Sequence, residues 1–389
     1  MKLKSLILFA CSLAFIFNLT AKDVIKLTWQ GGSIKKITIV ATTNEPFTID
    51  WGDGSEIETR TGTGDHQNIT HFYGSFDSFQ ATIAGNSDNC LLTWFYCNGQ
   101  TVTDLDLSAN INLISLTCYD NQLNSLDLSA NIRLEGVQCE DNQISHLDLS
   151  TNTALTFLAC SNNQINTLDL SANTALTYLS CYDNQISSLD LSANTVLEHV
   201  TCYNNRLPLS DLYTVSKVID YLYSKLLGTQ TLVPQTVQAN DEIDFSSQAK
   251  FEGIPTVFAV YKGSSIAITN VDYTIAGGII TFITDGNYTV IMTNDAIIAD
   301  PNYPAKVIAT FMVGDEVGIT DVPQTPNILS YPNPTVGKVY IEIESNIKVY
   351  NMRGALLQET FGNQVDLSVY PQGVYLLQIN EGWSKVVKQ

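Results

Sequence analysis

The chain has 389 residues, room for two to four domains, and its 44% hydrophobic and 15% charged composition excludes a disordered chain or a coiled coil. A net charge of −20 argues against nucleic acid as a partner, because phosphate recognition needs clustered Lys and Arg. Such a charge suits a soluble, exposed protein whose copies repel one another.

In chain order, residues 1–21 place two lysines before a largely apolar run from Leu6 to Leu19. That is the pattern of a secretory signal peptide, with cleavage after Ala21. Cys11 is not read as a lipoprotein cysteine, because the apolar run continues beyond it. No later stretch approaches the roughly 18 apolar residues of a spanning helix, so no transmembrane segment is expected in the mature chain.

Residues 22–88 alternate in hydrophobicity, as in "KITIVATT", "PFTIDWGDGSEIETR" and "FQATIAG". They read as strands with a turn at "GDG". The motif Trp51-Gly52-Asp53-Gly54 followed by His71-Phe72-Tyr73 resembles the polycystic-kidney-disease-type β-sandwich. Asp50 and Asp53 offer a calcium loop, but a plain β-turn is the simpler expectation.

Residues 89–213 carry a 21-residue repeat. "LDLS" begins at Leu105, Leu126, Leu147, Leu168 and Leu189, and a cysteine recurs at Cys97, Cys118, Cys139, Cys160, Cys181 and Cys202. The segment "LTYLSCYDNQI" fits a leucine-rich repeat with Cys at its third apolar position, and "INTLDLSANTAL" fits a similar template. Each coil is expected to hold two short extended segments and to stack on its neighbours, because no coil can bury its own apolar side chains. Asn121, Asn142, Asn163, Asn184 and Asn205 fall at turns, as does Asn173 on the other side of its coil. Their amides can form two ladders that satisfy free backbone groups.

The cysteines carry several readings. Zinc needs about four converging ligands, whereas these sit one above another at ~4.8 Å with no histidine spaced to help. Disulfides need inclined Cβ vectors, which parallel neighbours lack, although an oxidising destination keeps them open. A small apolar core residue in a slot too narrow for Leu is the expected role. This 21-residue cysteine ladder resembles that of the cysteine-containing internalins, which are bacterial surface adhesins.

Residues flanking the inward ones on the Cys-bearing segment form outward columns. One reads Trp94, Ser115, Gly136, Phe157, Tyr178, His199, and the next begins at Tyr96. Beyond the cysteines follow Asn98, Tyr119, Glu140, Ser161, Tyr182, Tyr203 and then Gly99, Asp120, Asp141, Asn162, Asp183, Asn204. The interior is constant and this face is not. Trp94, Tyr96, Tyr119, Asp120, Glu140, Asp141, Phe157, Tyr178, Tyr182, Asp183, His199 and Tyr203 are therefore the candidate ligand-binding residues, an aromatic and acidic set. The aspartate column Asp106, Asp127, Asp148, Asp169 and Asp190 reads as a solvated row hydrogen-bonded to Ser or Thr, with calcium the alternative.

Residues 214–232 read as the helical cap and exit. Ser210 is placed to cap a helix carrying Leu212, Val215, Ile219, Leu222 and Leu226, which would close the open end of the core. Residues 233–313 alternate again and look like an immunoglobulin-like sandwich. A linker, 314–327, precedes the last unit, 328–389. Its "YPNPTVG", "VYNMRG", "DLSVYPQGVY" and "KVVK" resemble the type A C-terminal sorting domain of the type IX secretion system. That resemblance implies export across an outer membrane and contact with the secretion machinery. Bottom-up, the unit is a small β-sandwich with turn glycines Gly337, Gly354 and Gly373.

The fold expected is mainly β: a leucine-rich repeat solenoid with parallel sheets, a short helical cap and flanking antiparallel β-sandwiches. No nucleophile motif or phosphate loop surrounds the four histidines, and no metal site or cofactor is expected. The function expected is non-covalent recognition of a protein or glycan at a cell surface. A structural spacer or biofilm-matrix protein is the first alternative, and a carbohydrate-active enzyme accessory protein is the second.

Overall fold

The computed structural model describes residues 23–30, 34–314, 330–331, 338–351, 356–379 and 382–388. The signal peptide, the linker beyond Gly314, and Gly337 and Gly354 lie outside the described residues. Two compact units result, one ending at Gly314 and one starting at Asp315.

The first unit opens with alternating strands β1 (Val24–Gln30), β2 (Ile34–Ala41), β3 (Pro46–Asp50), β4 (Glu58–Thr61), β5 (Gln67–Phe72) and β6 (Ser78–Gly85). Trp29, Phe47, Ile49, Trp51 and Tyr73 fill the space between two sheets. The residues of the WGDG and HxY motifs meet here. The rings of Trp51 and His71 stack at 4.6 Å, and the Tyr73 hydroxyl donates to the Trp51 carbonyl at 2.7 Å. His71 Nε2 lies 2.7 Å from Asp53 Oδ2. Gly52 is required: its φ is +76°, and an added Cβ would lie 2.1 Å from the Gln80 carbonyl oxygen.

This sandwich and the repeats share both sheets. In the first coil, β7 (Leu92–Tyr96) pairs antiparallel with β2, and β8 (Val102–Asp106) pairs antiparallel with β1. The buried Lys35 ties the joint, donating from Nζ to the Gln100 carbonyl at 2.7 Å and to Thr101 Oγ1 at 2.8 Å. Beyond β7 come β9 (Ser115–Thr117), β10 (Gly136–Gln138), β11 (Phe157–Ala159), β12 (Tyr178–Ser180) and β13 (His199–Thr201), all parallel and each in register 21 residues on from the last.

The expectation of two extended segments per coil is met in the first coil and halved afterwards. From Leu126 onward the LDLS half forms no strand ladder among the described residues. The first coil keeps this segment extended because β8 pairs with β1; its Asp106 accepts from Ser108 N just as the later aspartates accept from their serines, so the partner strand makes the difference. Asp127, Asp148, Asp169 and Asp190 each accept, through Oδ1, the backbone N–H of the serine two residues on, at 2.8–2.9 Å. These bonds turn the chain within a residue or two of the segment. They also hold the Asp148, Asp169 and Asp190 carboxyls below their ordinary pKa.

The interior is closed by the cysteines and by two asparagine ladders. All six ladder cysteines are fully buried free thiols, and burial pushes their pKa values up, to about 12 for Cys97 and Cys202. Asn163 shows the first ladder. Its Nδ2 donates to the carbonyls of Cys139 (3.0 Å), Cys160 (3.1 Å) and Ser161 (3.2 Å), and its Oδ1 accepts from Ile144 N at 2.9 Å. The second ladder works with one end only. Asn152 Nδ2 donates to the Leu128 and Asn131 carbonyls at 3.1 and 2.9 Å, while its Oδ1 is buried with no partner.

The distal end departs from the expected cap. The helix α1 spans Leu209–Val218, its N-cap is Pro208, and Ser210 sits inside the first turn and makes no capping bond. The chain leaves helical geometry at Ile219, so Leu222 falls in a 3-10 turn and Leu226 in strand β14 (Lys225–Leu226). Tertiary pairing overrides helical spacing: β14 adds a parallel rung to β13. Asp211 on α1 accepts the Leu189 backbone N–H at 2.9 Å.

Thr229–Thr231 then enters a six-stranded sheet, pairing parallel with Lys306–Val313, and a three-stranded sheet faces it. Phe282, Tyr288, Met292 and Phe311 are buried among its apolar residues. In the second unit, strands including Lys338–Asn351, Leu356–Asp366, Gly373–Ile379 and Gly382–Lys388 form one sheet over Val339, Ile347, Val349, Leu377 and Ile379. No helix among the described residues is long and apolar enough to cross a membrane.

Candidate binding face

The outward columns are more ordered than alternation alone implies. Phe157 and Tyr178 stack at 4.5 Å with planes 5° apart, and Tyr178 and His199 stack at 4.7 Å, again at 5°. A second stack joins Tyr182 to Tyr203 at 4.7 Å and continues to Tyr303 of the distal sandwich at 5.2 Å. In-register strands place these side chains one rung apart, which is the stacking distance of aromatic rings. Between the two stacks, Ala159, Ser180 and Thr201 form a buried floor.

Stacking covers the rings. Of the aromatic candidates only Tyr119 is exposed, at 38%, whereas Trp94, Tyr96, Phe157, Tyr178, Tyr182, His199 and Tyr203 are half-buried. Burial lowers the His199 pKa, and its Nε2 lies 2.9 Å from Thr201 Oγ1. Glu140 is half-buried beside Ser161, its carboxyl raised by desolvation and its Oε2 without a partner.

The acidic column has a backbone reason that spacing does not reveal. Asp120, Asp141, Asn162, Asp183 and Asn204 all adopt positive φ, 52–55°, and Gly99 heads the column at 66°. Asp, Asn and Gly are the residues that tolerate this left-handed geometry. Asp120 and Asp141 are exposed, while Asp183 accepts a hydrogen bond from Asn204 Nδ2 at 2.7 Å.

A notch of about 350 Å³, missed in the reading of the sequence, interrupts the first column. Trp94 and Tyr96 bound it on one side and Phe157 on the other, with Ser115, Thr117, Glu135, Gly136, Gln138 and Thr156 between. His66 packs edge-on against Trp94 at 5.1 Å and lies 3.2 Å from the Tyr96 hydroxyl, steadying that wall. Its signal was the pair Ser115 and Gly136 standing where the column otherwise carries rings. Among the described residues no group of three or more His, Cys, Asp or Glu side chains is placed to hold a metal ion.

Residues 330–389 match the secretion system C-terminal sorting domain family. This tail makes the chain a secreted or cell-surface protein. Among solved structures, the chain is similar to the functional domain of InlJ from Listeria monocytogenes, which includes a cysteine ladder. The identity is 19%, over 54% of this chain and 64% of that one, with a TM-score of 0.26. It is also similar to the secreted internalin-like protein Lmo2445 of the same organism, at 15% identity over 52% of this chain and 76% of that one, TM-score 0.35. No curated protein sequence matches the chain.

Proposed function

We propose that this chain is an adhesin-like binding protein, without catalytic activity, that recognises a protein or glycan through the strand face of its solenoid. One observation carries the reading. The interior repeats coil after coil, whereas the face of β7 and β9–β13 changes at each rung and packs Phe157, Tyr178 and His199, and Tyr182 and Tyr203, into two stacks. Preorganised aromatic rings give contact area at little entropic cost. Residues 22–88 and 233–313 act as polycystic-kidney-disease-like and immunoglobulin-like flanking modules, and residues 328–389 are the address read by the type IX secretion machinery.

The test is replacement of Tyr119, Tyr178, Tyr182 and Tyr203 by Ala, followed by binding to host cells, extracellular matrix and a glycan and protein array. Binding should fall while the melting profile keeps its cooperative transition. Unchanged binding would sink the assignment of the face. A spacer role is the second reading, favoured by the rings stacking on one another and covering themselves. It expects deletion of one 21-residue coil to shorten the molecule without loss of a specific interaction.

A further inference from the structure

We propose that the notch between Trp94 and Phe157 is a subsite for one neutral pyranose ring of a glycan. The inference rests on the reading of this sheet as a binding face and names what one part of it takes.

Gly136 is the first argument. It lies in strand β10 with no positive φ, and an added Cβ would meet nothing nearer than Ser115 Oγ at 3.7 Å. Neither backbone nor packing requires glycine, and glycine inside a strand weakens it, so its effect here is to keep space open for an approaching group. Ser115 leaves the adjoining rung equally unfilled. The gap between Trp94 and Phe157 is therefore two missing rings wide, roughly 10 Å at the spacing of neighbouring strands.

The direction of the walls is the second. One face of Phe157 is covered by Tyr178 at 4.5 Å and 5°, so its other face is turned along the solenoid toward Gly136. A flat ring lodged over Gly136 would extend the stack Phe157–Tyr178–His199 by one member.

The third argument is the chemistry around that ring. Gln138 Oε1 accepts from the Thr117 hydroxyl at 3.1 Å, which leaves the Gln138 amide nitrogen as a donor with no protein partner among the described residues. The Glu135 carboxylate at the rim is an acceptor. A pyranose offers C–H groups to an aromatic face and hydroxyls, both donating and accepting, around its edge. An inserted Phe or Leu side chain would cover the Gln138 amide without pairing it and would make no use of the exposed Glu135 carboxylate. Glu135 and the net charge of −20 disfavour uronic and sialic acids and leave the neutral sugars.

The experiment uses the full chain and three arms: neutral oligosaccharides of glucose, galactose, mannose and N-acetylglucosamine; sialylated and uronate oligosaccharides; and peptides carrying Phe or Tyr. Binding is read by calorimetry for the native chain and for Gly136→Phe and Ser115→Phe, each of which fills the notch from a different rung. At least one neutral oligosaccharide should bind the native chain and bind at least about tenfold more weakly to whichever filled variant keeps the native melting temperature. The proposal is overturned if no neutral oligosaccharide binds, if a folded filled variant binds it equally, or if only the acidic sugars or the peptides bind. Should the filled variants keep binding that the four-tyrosine variant loses, the notch assignment falls and the face survives. Should neither change it, both fall.

Discussion

The side-chain amide of Gln230 donates to the carbonyl of Cys202 at 3.0 Å, making a further rung beyond Asn205 with a different residue type. Its Nε2 also reaches the Leu227 carbonyl, and its Oε1 accepts from Asn205 N at 3.1 Å. Gln230 thus closes the backbone groups that the last full coil would otherwise leave open. Replacing it by Ala should cost about 1–3 kcal/mol, since it orphans buried groups. Hydrogen exchange at Asn205 and Leu207 should quicken while Ile144 and Ile165 stay protected.

The two asparagine ladders should not respond alike. Asn163→Ala removes four hydrogen bonds and strands the Ile144 amide, an expected loss of about 2–4 kcal/mol. Asn152→Ala loses two donations but also removes a carbonyl oxygen that is already unpaired, so its loss should be smaller. Denaturant midpoints of the two variants decide the order, and equal or reversed losses would refute it.

Alkali should act through the thiols. Burial raises the pKa of every ladder cysteine, so the folded state keeps protons that the unfolded chain releases above about pH 8.5. Stability is fully present below that pH and falls as pH rises, by about 1.4 kcal/mol per pH unit for each thiol that stays protonated. Guanidinium midpoints at pH 8 and pH 10 should differ strongly, and Cys160→Ala should shallow the dependence by one proton. Thiol reagents should leave ligand binding intact until the protein unfolds.

Acid should act on the N-terminal sandwich. Partial burial of Asp53 is outweighed by hydrogen bonds from Ser55 and His71, and its carboxyl falls to about 2. A depressed pKa contributes stability above the unfolded value near 4 and loses it as pH falls toward 2. With solvent screening at the loop surface, the contribution is about 1 kcal/mol. Asp53→Asn should flatten the acid limb of the melting temperature between pH 4 and pH 2; an unchanged limb would count against the pair.

Much of this was readable from residues. Cys181 marked the register, and a polar residue such as Asn184 recurring within an apolar frame announced a backbone-binding ladder. Other features depend on contacts that no period encodes. Gln230 lies outside the repeat. Ser210 looked like a cap, but the helix begins one residue earlier, after Pro208, and Leu222 and Leu226 looked helical because spacing carries no information about β14 pairing with β13. Asp120, Asp141 and Asp183 read as an acidic surface because left-handed backbone geometry is invisible in a list of letters. Gly136 was visible as a gap in a column, but its meaning needed the orientation of the Phe157 ring.

Both edges of the N-terminal sandwich pass directly into the first coil, through β2 to β7 and β1 to β8. The repeat is therefore an increment added to a fixed starting plate. Duplicating a coil beyond β11 would carry the distal sandwich outward by one strand spacing, ~4.8 Å, and leave the Trp94–Phe157 gap where it was. Under the proposed binding role, reach and recognition are altered separately, length by counting copies and preference by single substitutions near the plate.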